Sequence, residues 1–174
     1  RTTPMYDIFS GMGAVWGQQF GMEVVNYFAV GDEPKFETPS FRRSEAFGAT
    51  AREVRGVRSA VGINEVHNFG KYLVKGDSAR AWLDRIMAGR IPNVGRLSLT
   101  PMLSQKGKLI GDFTVSCLAE DEFQLTASYG SQAYHFRWFT QHQDDGVNIH
   151  NISDKRNGFQ IAGPNARAVL MDCT

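Results

Sequence analysis

The sequence is poor in the residues and patterns that mark several common classes of protein. Its 174 residues include only two cysteines, Cys117 and Cys173, which are too few for a disulfide framework in a chain of this size and favour a reducing compartment. No apolar run approaches the roughly 20 residues that a membrane span needs, and no basic segment precedes an apolar one at the start. With 19 Lys and Arg against 18 Asp and Glu, no overall field argues for nucleic acid or an anionic membrane as a partner. We therefore expect the partner to be a small molecule or another protein.

Motifs for phosphate binding, nucleophilic hydrolysis and metal binding are also missing. The sequence contains no Walker phosphate loop, no nucleophile elbow of the Gly-x-Ser-x-Gly type and no closely spaced cysteine pair. The four histidines are His67, His135, His142 and His150. His135 and His142 lie seven residues apart on a predicted helix, but the other two lie elsewhere, and no Asp or Glu completes a ligand set by its spacing. The sequence therefore predicts no metal site.

What the sequence does contain is a dense pattern of helices and strands after residue 70. Apolar residues at helical spacing predict a helix over 78–88, with Asp77 as its cap and Gly89 at its end. Residues 109–118 and 123–127 alternate apolar and polar side chains, which predicts an antiparallel hairpin. Further strands are predicted over 71–75, 96–103 (with Pro101 suited to an edge), 147–152 and 159–162, and further helices over 131–142 and from residue 164. This order favours an α+β fold with mixed or antiparallel sheets and packed helices.

The first part of the chain shows no regular spacing of apolar residues that would predict helices or strands. Residues 1–41 are rich in Gly, Pro and aromatic residues, and we interpret residues 1–45 as an irregular arm and residues 46–174 as the folded domain. A short amphipathic helix is predicted over 51–61, with Val54 on its apolar face. Residues 42–58 hold five arginines and two glutamates, which form either a solvated helix face or a docking surface for an acidic neighbour.

Asp112 is the acidic residue best suited to a catalytic role. It comes early in a predicted strand whose opposite face is apolar, directly after Gly111, where the backbone can be approached closely. A carboxylate with one side towards a hollow can have its proton affinity tuned for general-base work. The alternative is a solvent-facing aspartate on an open sheet.

Several stretches resemble the folate-binding domain of the aminomethyltransferase family, to which the glycine cleavage T-protein belongs. They are Thr3–Asp7, Gly13–Gly17, Gly21–Glu23, Val54–Gly62, Gly107–Val115, which is similar to the family's Gly-Gly-Ile-x-Asp-Asp-Leu-x-Val, and Gly163–Ala166, which is similar to its Gly-Pro-x-Ala helix start. Their order and spacing agree across nearly the whole chain, which resembles the first half of that domain. Within the family, Gly13–Gly17 and Thr38–Arg43 most resemble the carboxy-terminal region of dimethylglycine and sarcosine dehydrogenases.

The resemblance implies a tetrahydrofolate site. The functional aspartate of the family falls on Asp112, whose role would be to hydrogen-bond near N5 of tetrahydrofolate and to accept a proton from it. Other folate contacts of the family fall on Phe69, Leu99, Thr126 and Ser128. Several positions depart from the family pattern: the family often has Met at the position of Phe69, Tyr or Leu at that of Leu99 and Val at that of Thr126. Gly111 replaces the first acid of the pair, and Ser128 stands where the family often has Asn, which offers more donors and acceptors than a hydroxyl.

Three hypotheses for function follow from the resemblance. In the leading one, the chain is part of a dimethylglycine or sarcosine dehydrogenase-like flavoenzyme. FAD on a flavin domain absent from this chain, in cis or in trans, oxidises an N-methylated glycine-type amine, and the folate domain gives 5,10-methylenetetrahydrofolate. The second is a stand-alone folate-dependent aminomethyltransferase, and the third a non-catalytic folate-binding protein. The expected location is the bacterial cytoplasm or the mitochondrial matrix. Because the last predicted helix is incomplete, we expect the chain to be a fragment. The resemblance implies that the second half of the family domain carries the remaining folate ligands, so we expect this chain alone to bind folate weakly or not at all.

Overall fold

The chain forms two compact units. The computed structural model describes residues 1–173, and one unit combines residues 1–67 with the segment from Asn157 on, while the other is Asn68–Arg156. The helices are α1 (Tyr6–Gly11), α2 (Phe47–Ser59), α3 (Ala79–Ile86), α4 (Gln132–Gln141) and α5 (Ala166–Asp172). The strands are β1 (Ala14–Gln19), β2 (Met22–Phe28), β3 (Gly62–Glu65), β4 (Phe69–Lys75), β5 (Leu97–Leu103), β6 (Leu109–Ala119), β7 (Glu122–Ser128), β8 (Asn148–Asn151) and β9 (Phe159–Ala162). Every strand pair is antiparallel, so the predicted α+β class with antiparallel sheets is confirmed.

The unit of residues 68–156 is built on a five-stranded sheet in the order β5-β6-β7-β4-β8. The predicted hairpin is confirmed as β6 and β7, and its alternation sends Phe113 and Leu125 to one face, where both are fully buried. Trp82 of α3 and Phe139 of α4 belong to the same core. Because successive strand residues point to opposite faces, both helices cover this one face, and no helix of this unit covers the other.

Helix α3 confirms the helix predicted over 78–88. Its apolar stripe is buried as expected, and Trp82 is only 1% exposed. The predicted cap is wrong, because Ser78 rather than Asp77 is the N-cap residue and no side chain caps the helix. Packing of the stripe therefore accounts for this short helix better than capping does.

Strand β5 lies at an edge of the sheet, as Pro101 predicts. The Pro101 carbonyl accepts a hydrogen bond from the Ala88 amide at 2.8 Å. A Cβ added at Gly89 would overlap the hydroxyl of Thr100 on β5. Glycine is therefore needed for the close approach of the chain to the sheet edge. Its predicted role as the end of α3 is wrong, because that helix ends at Ile86.

The other unit begins with regular structure, so the expectation of an irregular arm is wrong for residues 6–28. Helix α1 is followed by the hairpin of β1 and β2, whose turn contains Phe20 and Gly21, both with positive φ. The register shifts between Val15 and Trp16, and such a bulge hides a strand from a test for strict alternation. Residues 29–46 contain no helix or strand. Later in the unit, β3 pairs with β9 in a second two-stranded sheet.

Helix α2 begins at Phe47, four residues before the predicted start. It packs through Ala49, which joins a small core with Val15 and Tyr27, and this leaves Val54 49% exposed. The predicted apolar face is therefore wrong at Val54. In the basic segment, Arg52 forms an ion pair with Glu33 at 2.8 Å. Its hydrogen bond lowers the pKa of Glu33, so this arginine has its acidic partner within the chain.

Candidate functional site

The residues expected to contact folate lie on one face of the five-stranded sheet. They are Leu99 on β5, Asp112 on β6, Thr126 and Ser128 on β7, and Phe69 on β4. Along the central strands these positions alternate with core residues such as Phe113 and Leu125, so their side chains point away from the two helices. We call this surface the open face and define it by the five residues together with Pro101, Thr114 and Lys71.

The strand register arranges the open face in two neighbouring rows. The first row consists of Leu99, Thr114, Thr126 and Lys71, each directly opposite the next. The second row contains two opposed pairs, Pro101 with Asp112 and Ser128 with Phe69. Neighbouring strands are about 4.8 Å apart and same-face residues of one strand about 7 Å apart, so the rows span about 14 by 7 Å. This area is on the scale of one fused-ring ligand.

The open face combines exposed apolar side chains with hydroxyl groups and one carboxylate. Leu99 is 74% exposed and Phe69 40%, while Ser128 is exposed and Thr126 half-buried. Asp112 is exposed, and its side chain has no hydrogen bond or ion pair with the part of the chain that the structure describes. Asp112 therefore faces solvent on a part of the sheet that no helix of its own unit covers.

Lys71 is a member of the open face that the sequence analysis missed. It is only 5% exposed, and its Nζ donates hydrogen bonds to the backbone carbonyls of Phe69 at 3.2 Å and Ser153 at 3.4 Å. An ammonium group therefore lies in the same row as Thr126. Residues two apart on a strand share a face, so the position of Lys71 follows once Phe69 is placed.

A β-bulge at Ile110 precedes Asp112. Gly111 pairs with Met102 of β5, and the next pair along the ladder joins Leu109 to Leu103. Ile110 is therefore an extra residue on β6. Ile110 packs partly buried against the helical core. Bulges of this kind redirect the side chains that follow them, and the alternation test applied to the sequence does not detect them.

His135 of α4 contacts this bulge from the core side. The residue is 1% exposed, and its Nε2 lies 3.2 Å from the carbonyl oxygen of Ile110. Burial lowers the pKa of His135 below its ordinary value, so the imidazole is neutral at pH 7. Because the carbonyl can only accept a hydrogen bond, Nε2 carries the proton.

The remaining histidines and cysteines do not assemble into a metal site. Among residues 1–173, no group of three His, Cys, Asp or Glu is arranged to hold a metal ion. His142 stacks on Trp138, with ring centroids 4.1 Å apart, and His135 belongs to the core. Cys117 is buried, Cys173 is exposed, and both are free thiols. No helix in the described part of the chain is long and apolar enough to cross a membrane.

A cavity of about 400 Å³ lies in the other unit. Its lining includes Tyr27, Glu37 and Ser44. Glu37 accepts a hydrogen bond from Ser44, and the Tyr27 hydroxyl donates to the carbonyl of Pro34 at 2.9 Å. These polar groups are already paired with one another or with the backbone. We therefore place the candidate site on the open face.

Comparison with known proteins identifies the family. The chain matches the model of the GCVT N-terminal domain over residues 5–174 and belongs to that family. It is 32% identical over 177 residues to mitochondrial dimethylglycine dehydrogenase of Rattus norvegicus, a match that covers the whole chain and 20% of that protein. It is 29% identical over 160 residues to an aminomethyltransferase of Chloroherpeton thalassium, covering 90% of the chain and 41% of that protein. The chain thus spans about a fifth to two fifths of these relatives, and the resemblance inferred from its motifs is confirmed.

Solved structures of low sequence identity show the same fold. The glycine cleavage system aminomethyltransferase T from Bartonella henselae matches with a TM-score of 0.80 at 19% identity, over 99% of this chain and 43% of that one. The heterotetrameric sarcosine oxidase from Corynebacterium sp. U-96 matches with a TM-score of 0.50 at 22% identity, over 76% and 67% of the two chains. The chain is therefore an aminomethyltransferase-type domain, related to both the dehydrogenases and the aminomethyltransferases.

Proposed function

We propose that the open face is one wall of a tetrahydrofolate site for one-carbon transfer. The observation that carries the proposal is the arrangement of Leu99, Asp112, Thr126, Ser128 and Phe69 in two adjacent rows on one side of the sheet. These residues fit the group, because a pterin is a flat ring system with polar edges. Exposed apolar side chains suit its faces, and hydroxyls and a carboxylate suit its edges.

Asp112 has the role of proton acceptor in this proposal. Tetrahydrofolate supplies a nucleophilic amine at N5, which loses a proton when it bonds to the one-carbon unit. The Asp112 carboxylate makes no competing ion pair or hydrogen bond within the described chain, so both of its oxygens are available to the substrate. A positioned general base contributes about 10²- to 10⁴-fold to a rate.

The other members of the open face bind and orient the ring. Leu99 and Phe69 supply apolar contact on either side of the two polar positions on β7. Thr126 and Ser128 supply hydroxyls, each a single donor. In the family an Asn often stands at the position of Ser128, so we expect this chain to make fewer hydrogen bonds to the pterin than other members do.

The larger context of the proposal is a flavoenzyme of the dimethylglycine or sarcosine dehydrogenase type. The 32% identity across the whole chain to a dimethylglycine dehydrogenase supports it. In that context a flavin domain, in cis or in trans, oxidises an N-methylated glycine-type amine, and the domain described here passes the carbon to tetrahydrofolate, giving 5,10-methylenetetrahydrofolate. We assign none of residues 1–174 to FAD. The proposed location is the mitochondrial matrix or the bacterial cytoplasm.

A second candidate is a stand-alone folate-dependent aminomethyltransferase. The relatives of that name, one of them 29% identical over 90% of the chain, support it. The two candidates share the open face and differ in whether the full-length protein oxidises its amine with bound flavin. An absorbance spectrum of the full-length protein, purified together with any subunit that associates with it, separates them, since only the first carries flavin bands.

The test of the shared site is Asp112→Asn in the full-length protein, with Asp121→Asn as the matched control. Asp121 is an exposed acid at the turn between β6 and β7, outside the open face. Methylenetetrahydrofolate formation by the Asp112 variant is expected to fall by about 10²- to 10⁴-fold and that of the control to stay within twofold. An unchanged rate in the Asp112 variant would show that the carboxylate is not the proton acceptor. Tetrahydrofolate binding without turnover in the wild-type protein would support a non-catalytic folate-binding protein.

A further inference from the structure

The backbone of β6 directly before Asp112 is held in place by a contact from the core side of the sheet. The role we assign to this contact rests on the proposed function of Asp112. Gly111 to Ser116 keep one register with β5, and the pairing changes only between Gly111 and Leu109, where Ile110 is the extra residue. This irregular stretch of backbone leads directly into Asp112, so its conformation affects where the Asp112 carboxylate lies.

His135 is placed to hold this bulge in its observed conformation. Its Nε2–H donates to the carbonyl of Ile110, the extra residue itself, at 3.2 Å. A side-chain donor from the core thus bonds to the backbone of the extra residue itself.

Gly111 provides the room for this contact. A Cβ at Gly111 would overlap His135 Nε2 and lie 2.9 Å from the Phe113 ring. The imidazole therefore occupies the space that a side chain at position 111 would need.

The surroundings of His135 keep the imidazole neutral and fixed. The ring lies among aromatic side chains, with Phe113 at 4.7 Å, Tyr134 at 6.1 Å and Tyr72 at 6.4 Å between ring centroids. It forms no ion pair with any described residue. His135 and Asp112 face opposite sides of the sheet, so any effect of one on the other passes through the backbone of β6.

We propose that His135 is a positioning residue for Asp112: it pins the Ile110 bulge through its Nε2–H and thereby fixes the backbone that leads into Asp112, and with it the position of the carboxylate on the open face.

The test uses His135→Gln and His135→Met in the full-length protein. The two replacements are similar in length, but only glutamine keeps a terminal N–H donor within reach of the Ile110 carbonyl. We expect the Gln variant to retain kcat for methylenetetrahydrofolate formation within threefold. The Met variant is expected to lose about 10- to 100-fold in kcat, because a misplacement of about 1 Å can cost about 10²-fold. Its KM for tetrahydrofolate is expected to change less than threefold, since Leu99 and Thr126 remain in place.

A double-mutant cycle with Asp112→Asn distinguishes failure of the inference from failure of the proposed function. If His135 acts through Asp112, His135→Met has no further effect in the Asn background. An equal loss in both backgrounds, or no loss in either, overturns the positioning role. An unaltered rate for Asp112→Asn alone overturns the proposed function instead. If the Met variant does not fold, the Gln variant decides the matter, because a loss of more than threefold in a folded Gln variant contradicts the role of the donor.

Discussion

Replacing Gly111 by Ala tests the packing beneath the candidate site with the smallest possible change. The added Cβ would overlap His135 Nε2 and lie 2.9 Å from the Phe113 ring, and both neighbours are at most 1% exposed. Overpacking of this kind costs about 1–3 kcal/mol, and displacement of the imidazole from the Ile110 carbonyl adds about 0.5–1.5 kcal/mol. We therefore expect the free energy of unfolding to fall by about 1.5–4.5 kcal/mol.

The measurement is urea unfolding followed by tryptophan fluorescence, with Gly56→Ala as the matched control. Gly56 lies within α2 and has no atom within 4 Å of its added Cβ, so alanine there is expected to stabilise the protein by about 0.5–1 kcal/mol. His135→Ala is expected to relieve part of the cost of Gly111→Ala, giving a non-additive double variant. A loss below about 0.5 kcal/mol for Gly111→Ala would refute the proposed close contact.

Three further predictions concern stability and binding. Because burial lowers the native-state pKa of His135, the unfolded state binds more protons as the pH falls below about 6.5, and stability should decline towards acid with a slope that His135→Gln reduces. Trp82→Ala should cost about 3–5 kcal/mol in thermal or urea unfolding, because the indole is 1% exposed and its Nε1 donates to the His142 carbonyl at 2.6 Å. Ser128→Asn should tighten tetrahydrofolate binding to the full-length protein by about 2- to 10-fold in calorimetry, the gain of one added hydrogen bond. A flat stability profile above pH 4 would contradict the first expectation. An unfolding cost below 1 kcal/mol for Trp82→Ala would contradict the second, and unchanged tetrahydrofolate affinity for Ser128→Asn would contradict the third.

The sequence predicts those elements of the fold whose apolar residues follow a regular spacing because only one side of the element is buried. The alternation in β6 and β7 follows from burial of one face only, and the stripe of α3 follows from burial of one helix side, so both were readable without structure. The prediction failed where non-local contacts decide. The helical spacing predicts a core position for Val54, whereas α2 reaches its core through Ala49. The bulge between β1 and β2 hides that hairpin from a test for strict alternation.

The candidate site also has some features that could be predicted from the sequence and others that depend on non-local contacts. Asp112, Leu99, Thr126, Ser128 and Phe69 were placed by family resemblance, and the structure shows that strand register brings them to one face. Other features of the site have no local signature. Neither the bulge at Ile110 nor its hydrogen bond to His135 follows from a period, because the two residues are 25 positions apart and meet only through packing of α4 on the sheet.

The most direct test of the open face as a folate site is calorimetric binding of tetrahydrofolate to the full-length protein after Leu99→Glu. Leu99 is 74% exposed, so the change adds a carboxylate to the face without disturbing the core. Ile63→Glu is the control, because Ile63 is 61% exposed on β3 in the other unit. Our account predicts at least a tenfold weaker affinity for the Leu99 variant and an affinity within twofold of wild type for the control. Wild-type affinity in the Leu99 variant would contradict it.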